Sequence, residues 1–71
     1  MTIIDLERRL HARPFVPFRL VTAKNIVLPI NHPDAIAWDE EDLANVVVVV
    51  PGGGLIMVEL GDTRIIRSER P

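Results

Sequence analysis

The segment at residues 13–19, Arg-Pro-Phe-Val-Pro-Phe-Arg, constrains the fold of this chain more than any other. Pro14 and Pro17 each fix the φ angle and lack a backbone N–H, so the segment can neither continue a helix nor lie inside a sheet. Arg13 precedes a proline and is therefore disfavoured in the α region. A helix must end before this segment, and a strand can begin only at Phe18. Because the segment also holds both phenylalanines of the chain, we expect it to pack the helix against the sheet.

The length of 71 residues and the absence of cysteine bound the architecture to one small domain, residues 1–71. A core of this size leaves little stability to spare, and no disulfide can add any, so self-association is expected. The longest apolar run, Val46 to Val50, is too short to span a bilayer, and we expect no membrane partner. The N-terminus lacks the features of a secretory signal, which predicts a cytoplasmic protein.

Residues 1–12 are predicted to form a short amphipathic helix. Thr2 is a suitable N-cap, and Asp5, three residues later, is placed as in a capping box. Ile3, Leu6 and Leu10 recur at helical spacing and share one face. We therefore predict a helix from about Ile3 to His11.

Residues 18–67 are predicted to form an antiparallel sheet of five or six short strands, because apolar positions alternate between turn residues. The turn at Lys24-Asn25 places Asn25 in a left-handed conformation, and Ile26, Leu28 and Ile30 are expected to share one buried face. Residues 68–71 are predicted to be a frayed tail. The fold class is therefore α+β, mainly β: a short N-terminal helix followed by an antiparallel meander or a small barrel. The predicted strands are residues 18–22, 26–30, 35–38, 45–50, 55–60 and 63–67.

The order of these elements carries a resemblance. A short helix, the Pro-Phe-x-Pro-Phe-Arg element, a hairpin, and His32-Pro33-Asp34 before a short strand resemble a family of uncharacterised small bacterial proteins over most of the chain. The family looks to have an Asp-Gly-like hairpin turn where this chain has Lys24-Asn25. The resemblance implies an architecture and no activity. A helix leading into a small five-stranded barrel is also similar to the Sm-like arrangement, whose members form rings and bind RNA, although topology alone assigns no function.

The run of five valines near the middle of the chain is the strongest candidate for an interface. Its β-branched side chains favour a strand, and its lack of polar alternation predicts a strand that is covered on both faces. Either a second subunit or the N-terminal helix can supply the second cover, and the sequence leaves both open. The candidate interface residues are Val46, Val47, Val48, Val49 and Val50.

Charge is distributed unevenly along the chain, whose net charge is −2. Residues 31–62 contain seven acidic residues and no Lys or Arg, whereas both ends are basic. An Sm-like RNA- or DNA-binding module is therefore an alternative function, in which basic residues of the two terminal segments contact phosphates. RNA recognition also requires exposed aromatic rings, and Phe15, Phe18 and Trp38 are needed for the core. The candidate phosphate-binding residues are Arg8, Arg9, Arg13, Arg64 and Arg67.

Motifs that carry chemistry are absent from the sequence. His11 and His32 are the only histidines, and nothing in the sequence brings further ligands to them as a metal site requires. Residues 39–42 are four acids without the spacing of a calcium loop, and Gly52–Gly54 is not followed by the Lys-Ser/Thr of a phosphate-binding loop. We therefore expect no catalytic residue, cofactor or metal. The leading hypothesis is a non-enzymatic interaction or structural module that forms a homo-oligomer, with an unidentified protein partner as a further possibility.

Overall fold

The computed structural model describes residues 1–67, which form one helix and six short antiparallel strands. The predicted mainly β, α+β class is confirmed at this level. The predicted tail, residues 68–71, lies outside the described residues. Two 3-10 turns, Pro33–Ala35 and Leu60–Asp62, interrupt the strands. The regular elements are α1 (Ile3–Leu10), β1 (Phe18–Val21), β2 (Val27–Ile30), β3 (Ile36–Ala37), β4 (Asn45–Val49), β5 (Leu55–Glu59) and β6 (Arg64–Arg67).

Helix α1 begins with the predicted capping box. The backbone N–H of Asp5 donates to Thr2 Oγ1 at 3.3 Å, and the backbone N–H of Thr2 donates to Asp5 Oδ2 at 3.3 Å. The hydrogen bonds from the Thr2 backbone and side chain lower the pKa of the Asp5 carboxyl, with a smaller contribution from nearby Arg8. The helix ends at Leu10, one residue before the predicted end, and His11 is its C-cap.

The six strands form two three-stranded sheets, ordered β2-β1-β6 and β3-β4-β5. A simple meander is therefore not the observed topology, because β6 pairs with β1 instead of β5. The two 3-10 turns account for this difference. Pro33–Ala35 carries the chain from β2 in the first sheet to β3 in the second, and Leu60–Asp62 carries it from β5 back to β6. Within residues 1–67, the strand ladders make two sheets and no closed barrel.

A single cluster of buried side chains joins α1 to both sheets. Phe18, at the end of the proline segment, is 1% exposed, in agreement with its expected role between helix and sheet. The seven largest fully buried side chains are Leu6, Phe18, Leu20, Ile30, Val46, Val48 and Leu60.

Each predicted strand is one residue too long at one or both ends, and two of these differences have a local cause. Ile26 was expected on a buried face but is 48% exposed, because it lies in the turn before β2. Its carbonyl accepts a hydrogen bond from the backbone N–H of Thr22 at 3.0 Å, and Asn25 takes the expected left-handed φ of 63°. The strand predicted at residues 35–38 is only Ile36–Ala37, because the N–H of Ala35 donates to the carbonyl of His32 at 3.0 Å and closes a 3-10 turn.

The loop between β4 and β5 is the predicted hairpin connection. The backbone N–H of Val50 donates to the carbonyl of Gly54 at 2.9 Å. Gly52 and Gly53 have backbone φ angles of 97° and 95°, which residues other than glycine rarely adopt. The loop therefore needs glycine for its backbone conformation and sets the register between β4 and β5.

Candidate functional site

Strand β4 alternates between the core and the surface. Val46 and Val48 are 1% and 0% exposed and lie in the core of the protomer, together with Leu6 and Leu10 of α1. On the opposite face, Val49 is 45% exposed. Of the two alternatives for the second cover, the N-terminal helix does not supply it, because Leu6 and Leu10 pack in the same cluster as Val46 and Val48. Cover by a second subunit stays a prediction. Val46 and Val48 have no free surface for a partner, whereas outward Val47 and Val49 and half-buried Val50 keep some.

The outward valines belong to a larger apolar surface on the β3-β4-β5 sheet. The ladders place Val47 opposite both Ala37 and Met57, and Val49 opposite Leu55. Leu55 and Met57 are 70% and 71% exposed. We call this surface the outer face, and its members are Ala37, Val47, Val49, Leu55 and Met57.

Leu55 and Met57 were not among the interface residues expected from the sequence. A signal was present, because Leu55 and Met57 alternate with Ile56, Val58 and Leu60, and two apolar sets on opposite faces of one strand cannot both face the same core. The set containing Val58 and Leu60 is the buried one. The other set, Leu55 and Met57, lies beside the outward valines Val49 and Val47.

The outer face contains no charged side chain. Its margin is polar, where Asn45 of β4 pairs with Glu59 of β5. Strand β5 is also an edge strand of its sheet. Neighbouring exposed apolar side chains with a polar margin are typical of protein interaction surfaces.

Three of the five candidate arginines line one cavity. Arg8 and Arg9 of α1 and Arg64 of β6 surround a cavity of about 610 Å³, which we call the basic cavity. Arg13 does not join them, because it lies in a separate cavity of about 330 Å³ beside Phe15 and Pro33. Arg67 is the last residue of β6, and its side chain lies outside the described part of the chain.

Backbone and side-chain contacts hold the two walls of the basic cavity together. The main-chain nitrogen of Met1 donates to the carbonyls of Leu60 and Thr63, each at 3.4 Å. The hydroxyl of buried Thr63 donates to the carbonyl of Glu59 at 2.7 Å. Arg64 pairs with Val21 in the β1–β6 ladder. These contacts bring the residues that precede α1 next to the start of β6.

One guanidinium of the cavity has a defined neighbour in the core. The central carbon of the Arg9 guanidinium lies 5.9 Å from the centroid of the Phe18 ring, within the range of a cation–π interaction. The Phe15 ring lies 6.2 Å from the Phe18 ring and is tilted by 57°. Arg9 is thereby tied to the aromatic pair that the proline segment supplies.

The two histidines lie in different surroundings. His32 and Asp34 line a cavity of about 390 Å³ whose other walls include Val49 and Val50. His11 lines the cavity that contains Arg13. Among residues 1–67, no group of three or more His, Cys, Asp or Glu side chains is placed to hold a metal ion. The acidic residues 39–42 form an exposed turn, in which Asp39 Oδ1 accepts from the backbone N–H of Glu41 at 2.8 Å.

Comparisons of the chain with protein-family models, with curated proteins and with solved structures give no match. In the described part of the chain, no helix combines the length and the apolar character needed to cross a membrane.

Proposed function

We propose that this protein is a non-enzymatic interaction module that self-associates by packing its outer face against the same face of a second copy. The observation that carries the proposal is the pair Leu55 and Met57, each about 70% exposed and continuous with Val47 and Val49 across the β4–β5 ladder. Burial of such side chains contributes free energy in proportion to the apolar area removed from water.

A second copy of the chain is the occupant that the charge pattern favours. In a two-fold interface the same surface meets itself, so every charged residue near the axis faces a like charge. The outer face has no charged residue, and Glu59 lies only at its margin. A small domain without cysteine also gains most from added burial, because its own core is small.

The outer face is small, which predicts weak association. Five side chains offer less area than the roughly 800 Å² per partner of a standard interface. We therefore expect a dimer that forms in the micromolar to millimolar range and dissociates on dilution. Packing of the two faces is favoured over pairing of the β5 edges, since edge pairing would leave Leu55 and Met57 exposed to water.

Three further expectations belong to the same proposal. The two sheets, whose strand ladders do not close on each other, are proposed to correspond to the walls of a small, Sm-like barrel. The return of β6 to β1 and the two 3-10 turns between the sheets support this. Membership of the family of uncharacterised small bacterial proteins is supported by the proline segment and the His32-Pro33-Asp34 turn. A cytoplasmic location completes the proposal.

Binding of nucleic acid is a second candidate function, favoured by the meeting of Arg8, Arg9 and Arg64 in one cavity. The aromatic rings argue against it, because Phe18 is 1% exposed and cannot stack on a base. An affinity for single-stranded RNA that falls steeply with salt would support it. Equal affinity after neutralisation of the arginines would contradict it.

The outer face is tested by Met57→Lys, with Leu43→Lys as the matched control. Leu43 is also an exposed apolar residue, at 50%, but lies outside the outer face. Light scattering and sedimentation equilibrium over a concentration series should show the wild type and the Leu43 variant approaching twice the mass of the 8.0 kDa chain. The Met57 variant should remain monomeric. A wild-type protein that stays at 8.0 kDa up to millimolar concentration would refute the proposal.

A further inference from the structure

We propose that the basic cavity between α1 and β6 binds a phosphoryl group carried by a ligand with an apolar substituent. The cavity shares no residue with the outer face, so this inference does not depend on self-association. It rests on the side chains that line the cavity and on their charge.

The charge of the cavity matches a dianion. Arg8, Arg9 and Arg64 supply three positive charges, and the Asp5 carboxylate supplies one negative charge. The protein as a whole has a net charge of −2, so the basic cavity is positive against an acidic background. Its net charge of about +2 complements a phosphate monoester, and guanidinium groups bind phosphate oxygens in pairs of hydrogen bonds.

Ordinary structural roles account for two of these arginines, of which Arg9 also lies over the Phe18 ring, but not for the third. Arg8 and Arg9 lie in the last turn of α1, where positive charge favours the helix dipole. Arg64 lies on a different element and has no such role. Asp5 is held by Thr2 through the capping box and lies near Arg8, and its single negative charge offsets only one of the three positive charges. Three like charges around one cavity repel each other, and a bound anion would relieve that repulsion.

The remaining lining residues indicate what accompanies the phosphoryl group. Met1, Ala12 and Ile65 give the cavity an apolar part beside the guanidinium groups. A volume of about 610 Å³ lies within the range of small-molecule sites. The hydrogen bonds from Met1 to the carbonyls of Leu60 and Thr63 link the N-terminal side of the cavity to its β6 side. A phosphate monoester with an aromatic or aliphatic substituent fits this combination.

The test uses phenyl phosphate as the small probe, inorganic phosphate as the minimal probe, and one oligonucleotide with and without a 5′-phosphate. Binding is followed by NMR on the full chain at constant ionic strength. We expect phenyl phosphate to shift the signals of Thr63, Arg64 and Ile65, and to bind more tightly than inorganic phosphate. Arg64→Gln should weaken phenyl phosphate binding about tenfold or more, as expected for loss of a charge-assisted hydrogen bond.

Arg8→Gln is the second variant and should also weaken phenyl phosphate binding. With two variants, the test still works if one of them fails to fold. Arg13→Gln is the matched control, because it removes the same charge outside the basic cavity. Tighter binding of the 5′-phosphorylated oligonucleotide than of the unphosphorylated one would support a phosphoryl site and identify nucleic-acid ends as a source. Equal weakening by the Arg13 and Arg64 variants would overturn the proposal. The proposal would also be overturned if the oligonucleotide bound equally well with and without the 5′-phosphate and phenyl phosphate did not bind.

Discussion

Met57→Lys has an effect on association whose magnitude can be worked out from the structure. Met57 is 71% exposed in the protomer, and complete burial of a methionine side chain contributes about 1.5–3 kcal/mol, so burying its exposed part contributes about 1–2 kcal/mol. A two-fold interface contains the side chain twice, which gives about 2–4 kcal/mol per dimer. At about 1.4 kcal/mol per tenfold change, the Kd should rise by roughly 30- to 700-fold.

The stability of the protomer should change little in this variant. The methionine side chain already faces water, so the lysine replaces no core contact, and its ammonium group stays solvated in the monomer. In the dimer the same group would have to leave water, which adds to the loss of affinity. Sedimentation equilibrium gives the Kd, and urea unfolding at a concentration where both proteins are monomeric gives the free energy of unfolding.

Two results would refute this reasoning. One is an unchanged Kd for Met57→Lys beside a wild-type protein that does dimerise, which would exclude the outer face from the contact. Hydrogen exchange would then show whether the outward amides of β5 become protected, as edge pairing requires. The other is an equal loss of association in Leu43→Lys, which would trace the effect to added positive charge and not to position.

Three further substitutions test the fold. Phe18→Ala should lower the free energy of unfolding by about 3 kcal/mol or more, because Phe18 is 1% exposed. Phe15 is only half-buried, so Phe15→Ala should lower the free energy of unfolding by less. An unchanged urea midpoint for the Phe18 variant would contradict its role in the core. The folded state lowers the pKa of the Asp5 carboxyl, so the carboxylate stabilises the fold above its ordinary pKa, and this stability is lost as the pH falls through the lowered pKa. Asp5→Asn should therefore be less stable than the wild type at neutral pH. In urea unfolding, the difference between the two proteins should shrink in acid. Gly53→Ala should destabilise by about 1 kcal/mol through its φ of 95° alone, since an added Cβ meets no atom within 4 Å. Gly61→Ala, with equal space and no such φ, should not be destabilised to the same extent in thermal unfolding, and equal losses would contradict the backbone argument.

Local chemistry explains which parts of the fold could be predicted from the sequence. The capping box of Thr2 and Asp5, the left-handed Asn25 and the glycine hairpin loop each depend on residues close in sequence. The boundaries near residues 26 and 35 were less accurate, because a hydrogen bond that closes a turn, such as Ala35 to His32, competes with strand pairing and leaves no hydrophobic pattern.

The candidate sites depended on contacts between distant residues. The valine run was recognised, but five identical side chains contain no signal for which face is buried, and the position of β4 between β3 and β5 decides it. The five candidate arginines were recognised as one group from the two terminal segments, but the sequence does not show which of them meet. Only the packing of α1 beside β6 brings Arg8 and Arg9 to Arg64 and leaves Arg13 elsewhere.

Local chemistry in the sequence was enough to end the helix before the proline segment, to start the first strand at Phe18 and to place glycine or asparagine in two turns, because steric limits and missing N–H groups act within a few residues. The tertiary structure alone decided that β6 pairs with β1, that Val47 and Val49 face outward beside Leu55 and Met57, and that three arginines share one cavity. These features arise from the packing of two sheets and a helix around one core, where each side chain is placed by partners that lie far along the chain.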